Sequence, residues 1–266
     1  MNNKLSKDDI AEKMFLEGKS ITQIAKELKI DRGCLSIRLK KRGVKIEQHC
    51  NKKAINKNIF SSIDTEEKAY WLGFLMADGC VSTDNYIELS LRDEEHIQKY
   101  KDFLGSEHKI SKKKSILKGK EFISYRLTFK DKQIADDLIA LGCIPNKTFD
   151  MHMPLIDDKL IRHWLRGYFD GDGHLKVGTT KGNSFVTISS GNQYILEEIC
   201  TYVNELLPLK TKLYVRKTHS CYELRTFNTL NTYLLLNYMY QDASVFLDRK
   251  HEKFTHYCRL KSKILK

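Results

Sequence analysis

The sequence contains no apolar run of membrane-spanning length and no array of soft metal ligands. No apolar run approaches the ~18 residues that a helix needs to cross a bilayer. The opening stretch Met1–Ile10 is polar, so no signal peptide is expected. The 7 cysteines are odd in number and scattered without a C-x-x-C pair. That argues against a zinc ribbon and a disulfide framework, and the expectation is a reduced, intracellular protein. The 9 histidines contain no H-E-x-x-H. What is abundant is positive charge: 46 Lys and Arg stand against 34 Asp and Glu, a net +12 in 266 residues, with 41% hydrophobic residues to build a core. A chain this basic suits a polyanion such as nucleic acid. The expected location is cytoplasmic and DNA-associated, with an organelle as the alternative.

Two nine-residue stretches organise the rest. Trp71–Gly79 reads W-L-G-F-L-M-A-D-G and Leu165–Gly173 reads L-R-G-Y-F-D-G-D-G. They share a glycine (Gly73, Gly167), a small residue four places on (Ala77, Gly171) and a final Asp-Gly (Asp78-Gly79, Asp172-Gly173). In a helix, residues i and i+4 share a face, and small residues there let two backbones approach closely. Gly79 and Gly173 stand where a left-handed glycine often ends a helix. Packing the two helices on their small faces brings Asp78 and Asp172 side by side at the helix ends. Carboxylates there oppose the macrodipole and repel each other. A divalent cation relieves both penalties, and Mg²⁺ takes such oxygen ligands. A lone Asp-Gly also ends many helices in a plain turn. Two copies in matching contexts, 94 residues apart, point instead to an internal repeat.

Both stretches resemble the signature of the LAGLIDADG homing endonucleases, and the resemblance runs from Ile63 to Leu260. The chain departs from the usual pattern at Trp71, Met76 and Arg166. The resemblance implies an α+β fold of two pseudo-symmetric αββαββα halves, whose antiparallel sheets lie in the DNA major groove. It implies that Asp78 and Asp172, with the backbone carbonyls of Ala77 and Gly171, hold two or more Mg²⁺ ions, with Mn²⁺ as a substitute. It also implies a lysine after the last helix of each half, close to the chemistry. Lys147 and Lys250 occupy those places. The activity it implies is site-specific double-strand DNA cleavage by a monomer.

Ahead of the repeat, residues 1–46 read as three short helices. Ser6 and Ser20 suit N-caps, Gly18 and Gly43 suit stops, and Ile21, Ile24, Ala25, Leu28, Leu35 and Leu39 have core spacing. The run from Gly18 to Gly43 resembles helix-turn-helix modules, in which the third helix enters the major groove. Arg32, Ser36, Arg38, Lys40 and Lys41 lie on or near the outer side of that helix. Residues 1–57 hold 15 Lys and Arg against 7 Asp and Glu, a net +8. Residues 47–62 lack helical periodicity and read as a basic linker to a nuclease domain at 63–266, with halves at 63–150 and 151–266.

Within the halves, Tyr86–Leu91 alternates like a strand. His108–Lys112 and Phe122–Lys130 read as strands joined by a basic loop, Lys112–Lys120. The sheets and loops offer Lys112, Lys113, Lys114, Arg126, Lys130, Lys176, Lys181, Arg216, Lys217 and Arg225 as candidate DNA contacts. Two other readings use the same fold: a DNA-binding transcription regulator with an inactive nuclease site, and an intron maturase that binds RNA. The presence of both motif aspartates favours the nuclease. An enzyme inside an intein would begin on a nucleophile and end in His-Asn. Met1-Asn2 and Leu265-Lys266 lead to the expectation of a free-standing or intron-encoded chain.

Overall fold

The computed structural model describes residues 6–44, 53–117, 119–145, 150–178, 184–210, 212–218 and 221–265. The chain divides into two compact units, Met1–Lys52 and Lys53–Lys266. The first holds α1 (Lys7–Leu16), α2 (Ile21–Leu28) and α3 (Arg32–Lys41). Their starts are set locally. Ser6 and Asp9 form a reciprocal capping box on α1, Ser20 and Gln23 do the same on α2, and Asp31 caps α3 by accepting from the Cys34 N–H. Ala11, Ile24, Ala25, Leu35 and Leu39 close a core of their own.

The second unit repeats one order of elements. The first half runs α4 (Glu66–Asp78), β1 (Gly79–Val81), β2 (Tyr86–Leu91), α5 (Glu94–Phe103), β3 (Ser111–Leu117), β4 (Lys120–Lys130) and α6 (Lys132–Ala140). The second runs α7 (Asp158–Asp172), β5 (Gly173–Lys176), β6 (Phe185–Ser190), α8 (Gln193–Leu206), β7 (Val215–Lys217), β8 (Tyr222–Arg225) and α9 (Thr229–Tyr240), with α10 (Asp248–Leu265) following. Each half carries a four-stranded antiparallel sheet, ordered β1-β2-β4-β3 and β5-β6-β8-β7. The period of two sends Ile87, Leu89 and Leu91 into the core and leaves Tyr86, Glu88 and Ser90 on the other face. No helix among the described residues is long and apolar enough to cross a membrane.

One core runs through both halves, and α4 and α7 form its spine. Residues 69–77 of α4 are all buried. A helix buried on every side needs no polar stripe, which is why this segment reads as a near-continuous apolar run. The two helices touch backbone to backbone. A Cβ added to Gly73 would stand 2.0 Å from the Trp164 carbonyl oxygen, and one added to Gly167 would stand 1.9 Å from the Tyr70 carbonyl oxygen. Each glycine therefore faces the residue three places before the other, as a twofold repeat requires.

Three sequence expectations need correction. Gly79 and Gly173 are not left-handed stops: their φ values are −78° and −87°, and each helix passes straight into a strand. They are glycines for lack of room, since a Cβ would meet the Leu75 carbonyl oxygen at 2.7 Å and the Phe169 ring at 2.0 Å. The basic stretch expected as the loop Lys112–Lys120 is mostly strand, registered on β4 from Ser111 opposite Arg126 to Leu117 opposite Lys120. β3 is an edge strand, where lysines are tolerated and discourage pairing with other chains. Within the expected linker, Ile59 and Phe60 are buried in the core of the second unit, so that stretch is already anchored there.

Candidate active site

Asp78 and Asp172 end α4 and α7, and both are exposed. The seam that begins at Gly73 and Gly167 continues to the carboxylates. A Cβ on Gly171 would lie 2.4 Å from Ala77 Cβ and 3.5 Å from the carboxyl carbon of Asp78. The small residues thus bring the Asp78 side chain beside the main chain that leads into Asp172. The expected pairing of the two helix ends is present, with Ala77 and Gly171 between them.

Lys250 lies beside these helix ends. It sits in the first turn of α10 and is only 5% exposed. Its Nζ donates to the carbonyl oxygens of Phe169 and Gly171, the latter at 3.3 Å, in the last turn of α7. A cation there suits the negative end of the helix. It also stands 4.9 Å from the Phe169 ring centroid. Burial lowers its pKa to about 8, while the carboxylates of Asp170, Asp78 and Asp172 pull upward. An ammonium this close to neutrality can shed or hold a proton near neutral pH, as a general base or a charge stabiliser must. Lys147, the corresponding lysine of the first half, lies outside the described residues, as does Lys181.

A buried polar network fixes Lys250, and the sequence reading missed it. Asp170 has no exposure. It accepts hydrogen bonds from Tyr70 Oη at 2.9 Å, from Tyr240 Oη, and from the Leu247 N–H at 2.8 Å. Burial raises its pKa, opposed by Lys250 and these donors. His96 Nε2 lies 3.0 Å from Tyr70 Oη. Since Tyr70 donates to Asp170, His96 is the donor here, in its neutral form, and its Nδ1 is left without a partner. Burial lowers His96 to about 3, consistent with that form. Beside it, Arg166 is fully buried. Its guanidinium donates to the carbonyls of Val245 and Met239, both at 2.8 Å, and to Glu66 at 2.6 Å. With its donors satisfied, this buried ion pair avoids the penalty of a lone charge. The one visible signal was that Asp170 and Arg166 replace the apolar Met76 and Leu72 of the first motif.

The sheets sort the candidate DNA contacts by face. Opposite pairs in the ladder share a face. Arg126 lies opposite Ser90, Lys130 opposite Tyr86 and Lys113 opposite Ser124, so these basic residues share the outward face of the first sheet. Lys112 and Lys114 fall on the other face, opposite Tyr125 and Ile123, and Lys114 pairs with Glu121 at 2.8 Å. In the second sheet Lys176 and Arg225 flank Phe185, at 5.5 and 3.5 Å from its ring centroid. Arg216 lies opposite Glu223 and pairs with it at 2.8 Å, whereas Lys217 falls on the reverse face opposite Tyr222. Tyr86 and Phe185 were not singled out from sequence, although outward aromatics in alternating strands were there to see. On α3, Arg32, Lys40 and Lys41 are exposed and Ser36 is half-buried, but Arg38 turns toward Asp8 of α1 at 3.5 Å.

Residues 159–239 match the LAGLIDADG-like domain family. That stretch is a LAGLIDADG-like domain. The chain has the fold of the homing endonuclease I-WcaI, which was solved bound to its DNA recognition sequence. That match has a TM-score of 0.53 at 13% identity and covers 81% of this chain and 97% of that one. The full-length DUF199/WhiA of Thermatoga maritima aligns with a TM-score of 0.48 at 14% identity, over 76% of this chain and 64% of that one. A protein of Methanocaldococcus jannaschii is 27% identical over 186 residues, which is 64% of this chain. The chain spans 63% of that archaeal protein's length.

Proposed function

We propose that this chain is a monomeric, site-specific double-strand DNA endonuclease. The observation that carries the reading is the meeting of Asp78, the Gly171 main chain and buried Lys250 at the joined ends of α4 and α7. One chain supplies both carboxylates, so no second copy is needed. The donors fit a hard cation: they are carboxylate and backbone carbonyl oxygens. No cluster of three or more His, Cys, Asp or Glu occurs among the described residues. A cation held by so few protein groups would leave room for water and substrate phosphate, as is common for Mg²⁺. Asp78 and Asp172, with the carbonyls of Ala77 and Gly171, would hold the metal, which when bound would supply Lewis acidity and charge neutralisation at the phosphate. Lys250 holds a proton at Nζ within reach of the same oxygens and stabilises negative charge that builds during hydrolysis. The outward faces, with Lys113, Arg126, Lys130, Lys176 and Arg225 interleaved with Tyr86 and Phe185, suit a major groove and its phosphates. Residues 1–46 act as an accessory helix-turn-helix that adds DNA contacts through Arg32, Ser36, Lys40 and Lys41.

The test is selection of cleaved sites from a randomised duplex library, with Mg²⁺ and with EDTA. Cutting at one asymmetric site with Mg²⁺ alone is expected. Asp78→Asn and Asp172→Asn each abolish double-strand cutting and keep DNA affinity within about tenfold, since they remove groups that act in the transition state. Tight DNA binding without cutting under every metal condition would leave a DNA-binding protein without nuclease activity as the reading.

A further inference from the structure

The repeat is not symmetric around its carboxylates. A cleft of about 440 Å³ opens beside Asp78 and is lined by Ser90, Leu91, Arg92, Asp93 and Arg249. Arg92 follows β2, is exposed, and lies 5.0 Å from the Phe122 ring centroid. Ser90 is outward-facing, and the alternation carries Arg92 to that same face. Arg249 reaches the cleft from the first turn of α10, with its side chain 53% exposed. Its Nε contacts Asp93 Oδ2 at 3.1 Å. That contact orients the guanidinium and leaves NH1 and NH2 as the remaining donors. Two arginines thus converge on the rim of one carboxylate. The planar fork of arginine matches phosphate oxygens in pairs, and stacking on an aromatic ring holds it in place at little entropic cost.

The second half does not repeat this. β6 ends at Ser190 as β2 ends at Leu91, and each is followed by a residue and then the N-cap of the next helix. The place of Arg92 is taken by Gly191, and that of Asp93 by Asn192. Arg249 precedes Lys250, whereas the residue that precedes Lys147 is Asn146. Both substitutions run the same way and remove a guanidinium.

We infer that Arg92 and Arg249 form a seat for one phosphodiester of the substrate beside Asp78, so that the chain cuts its two DNA strands in a fixed order. The strand seated there is held by two forks before chemistry and is cut first. The other strand, on the Asp172 side, has Gly191 where the first half has Arg92 and so lacks that fork; it is cut second, leaving a nicked duplex as the intermediate. The inference rests on the nuclease reading for the order of cutting, and on geometry alone for the seat.

The measurement uses full-length protein, Mg²⁺ and a supercoiled plasmid that carries the selected site, with nicks mapped on each strand through time. Wild type is expected to nick one strand about tenfold faster than the other, a difference of about 1.4 kcal/mol in barrier. The double variant Arg92→Gln/Arg249→Gln slows that strand by about tenfold or more and leaves the slower strand within about threefold. Equal rates on both strands in wild type, or equal slowing of both in the variant, would overturn the inference. If wild type binds DNA but nicks neither strand, the nuclease reading fails and the seat is judged by salt dependence on a mixed-sequence duplex. There the variant should flatten the slope of log affinity against log salt by about one to two, the phosphates it no longer neutralises. An unchanged slope, or no binding by wild type, would overturn the seat as well.

Discussion

Asp170 accepts a hydrogen bond from the backbone N–H of Leu247 at 2.8 Å, and so ties the end of the second motif helix to the turn that presents Lys250. The carboxylate also takes Tyr70 of the first half and Tyr240 of the second. A residue with no exposure therefore ties down the turn that presents the lysine.

Lys250→Met is expected to slow single-turnover cleavage by on the order of 10²-fold with little change in affinity, as for a group that acts in the transition state. Asp170→Asn should act through the same lysine. In the Lys250→Met background it should therefore add far less than it costs alone, a coupling that a double-mutant cycle reads directly. Independent, additive losses would show that Asp170 serves stability only. Lys147→Met is expected to slow the chemical step to a similar degree.

The seam glycines tolerate nothing larger. Gly73→Ala and Gly167→Ala would each push a methyl to within 2.0 Å of a backbone carbonyl that belongs to a packed helix. Overpacking against movable side chains costs about 1–3 kcal/mol, and backbone yields less readily. Each variant should lose at least about that much stability by urea titration, or fail to fold. By contrast Gly105→Ala, at a φ of 55° with open space around it, should cost only about 1 kcal/mol.

Stability should fall in mild acid. His96 titrates near 3 in the fold because burial disfavours its charge, against 6.5 for the free group. Between these values the unfolded chain binds a proton that the folded chain refuses, so stability present above pH 6.5 is lost progressively as pH drops toward 3. His163, held near 4 by burial and by Arg166, adds to the loss in the same window. His96→Gln keeps an amide donor for Tyr70 and cannot titrate, so its melting temperature should depend less on pH across this range. Parallel curves for variant and wild type would remove His96 as the source.

Removal of residues 1–52 should leave the cut position and the chemical rate unchanged, because the second unit has its own core and holds every residue of the proposed centre. Affinity for long targets should weaken and the salt slope should flatten, as fewer phosphates are neutralised. Footprints identical in length for both forms would show that α3 does not touch DNA in the complex.

Most of this architecture was legible because local signals agreed with the fold. Ser6 and Ser20 announce helix starts, Tyr86–Leu91 alternates as a half-buried strand must, and the two motifs carry the same glycines because the same backbone contact is made twice. The misreadings have physical causes. Gly79 and Gly173 fit a common stop signal, but crowding by Leu75 and Phe169, not a left-handed turn, selects them. Lysines 112–114 look like loop residues because their strand character depends on β4, which one sequence segment cannot reveal. The faces of Lys112, Lys114 and Lys217 depend on register, and Arg38 was taken by an acidic partner on another helix. Arg166 read as a departure from the family pattern and Asp170 was not singled out. Their main partners, Tyr70, Tyr240, Leu247, Glu66, Met239 and Val245, stand 70 or more residues away, a separation that no local pattern spans.

The contacts of Gly73 and Gly167 are made to main chain, which every sequence possesses, so they cannot tell one half from another. Discrimination lies in Arg166 with Glu66 and in Asp170 with Tyr70, each a pair drawn from both halves. Leu72 and Met76 stand at the corresponding places of the first half. Two first halves placed together would keep the glycine seam but lose both polar pairs, burying Tyr70 and Glu66 without their partners. The chain thus carries a grammar for joining unlike halves: a shared seam that permits pairing, and a one-sided set of charges that specifies it.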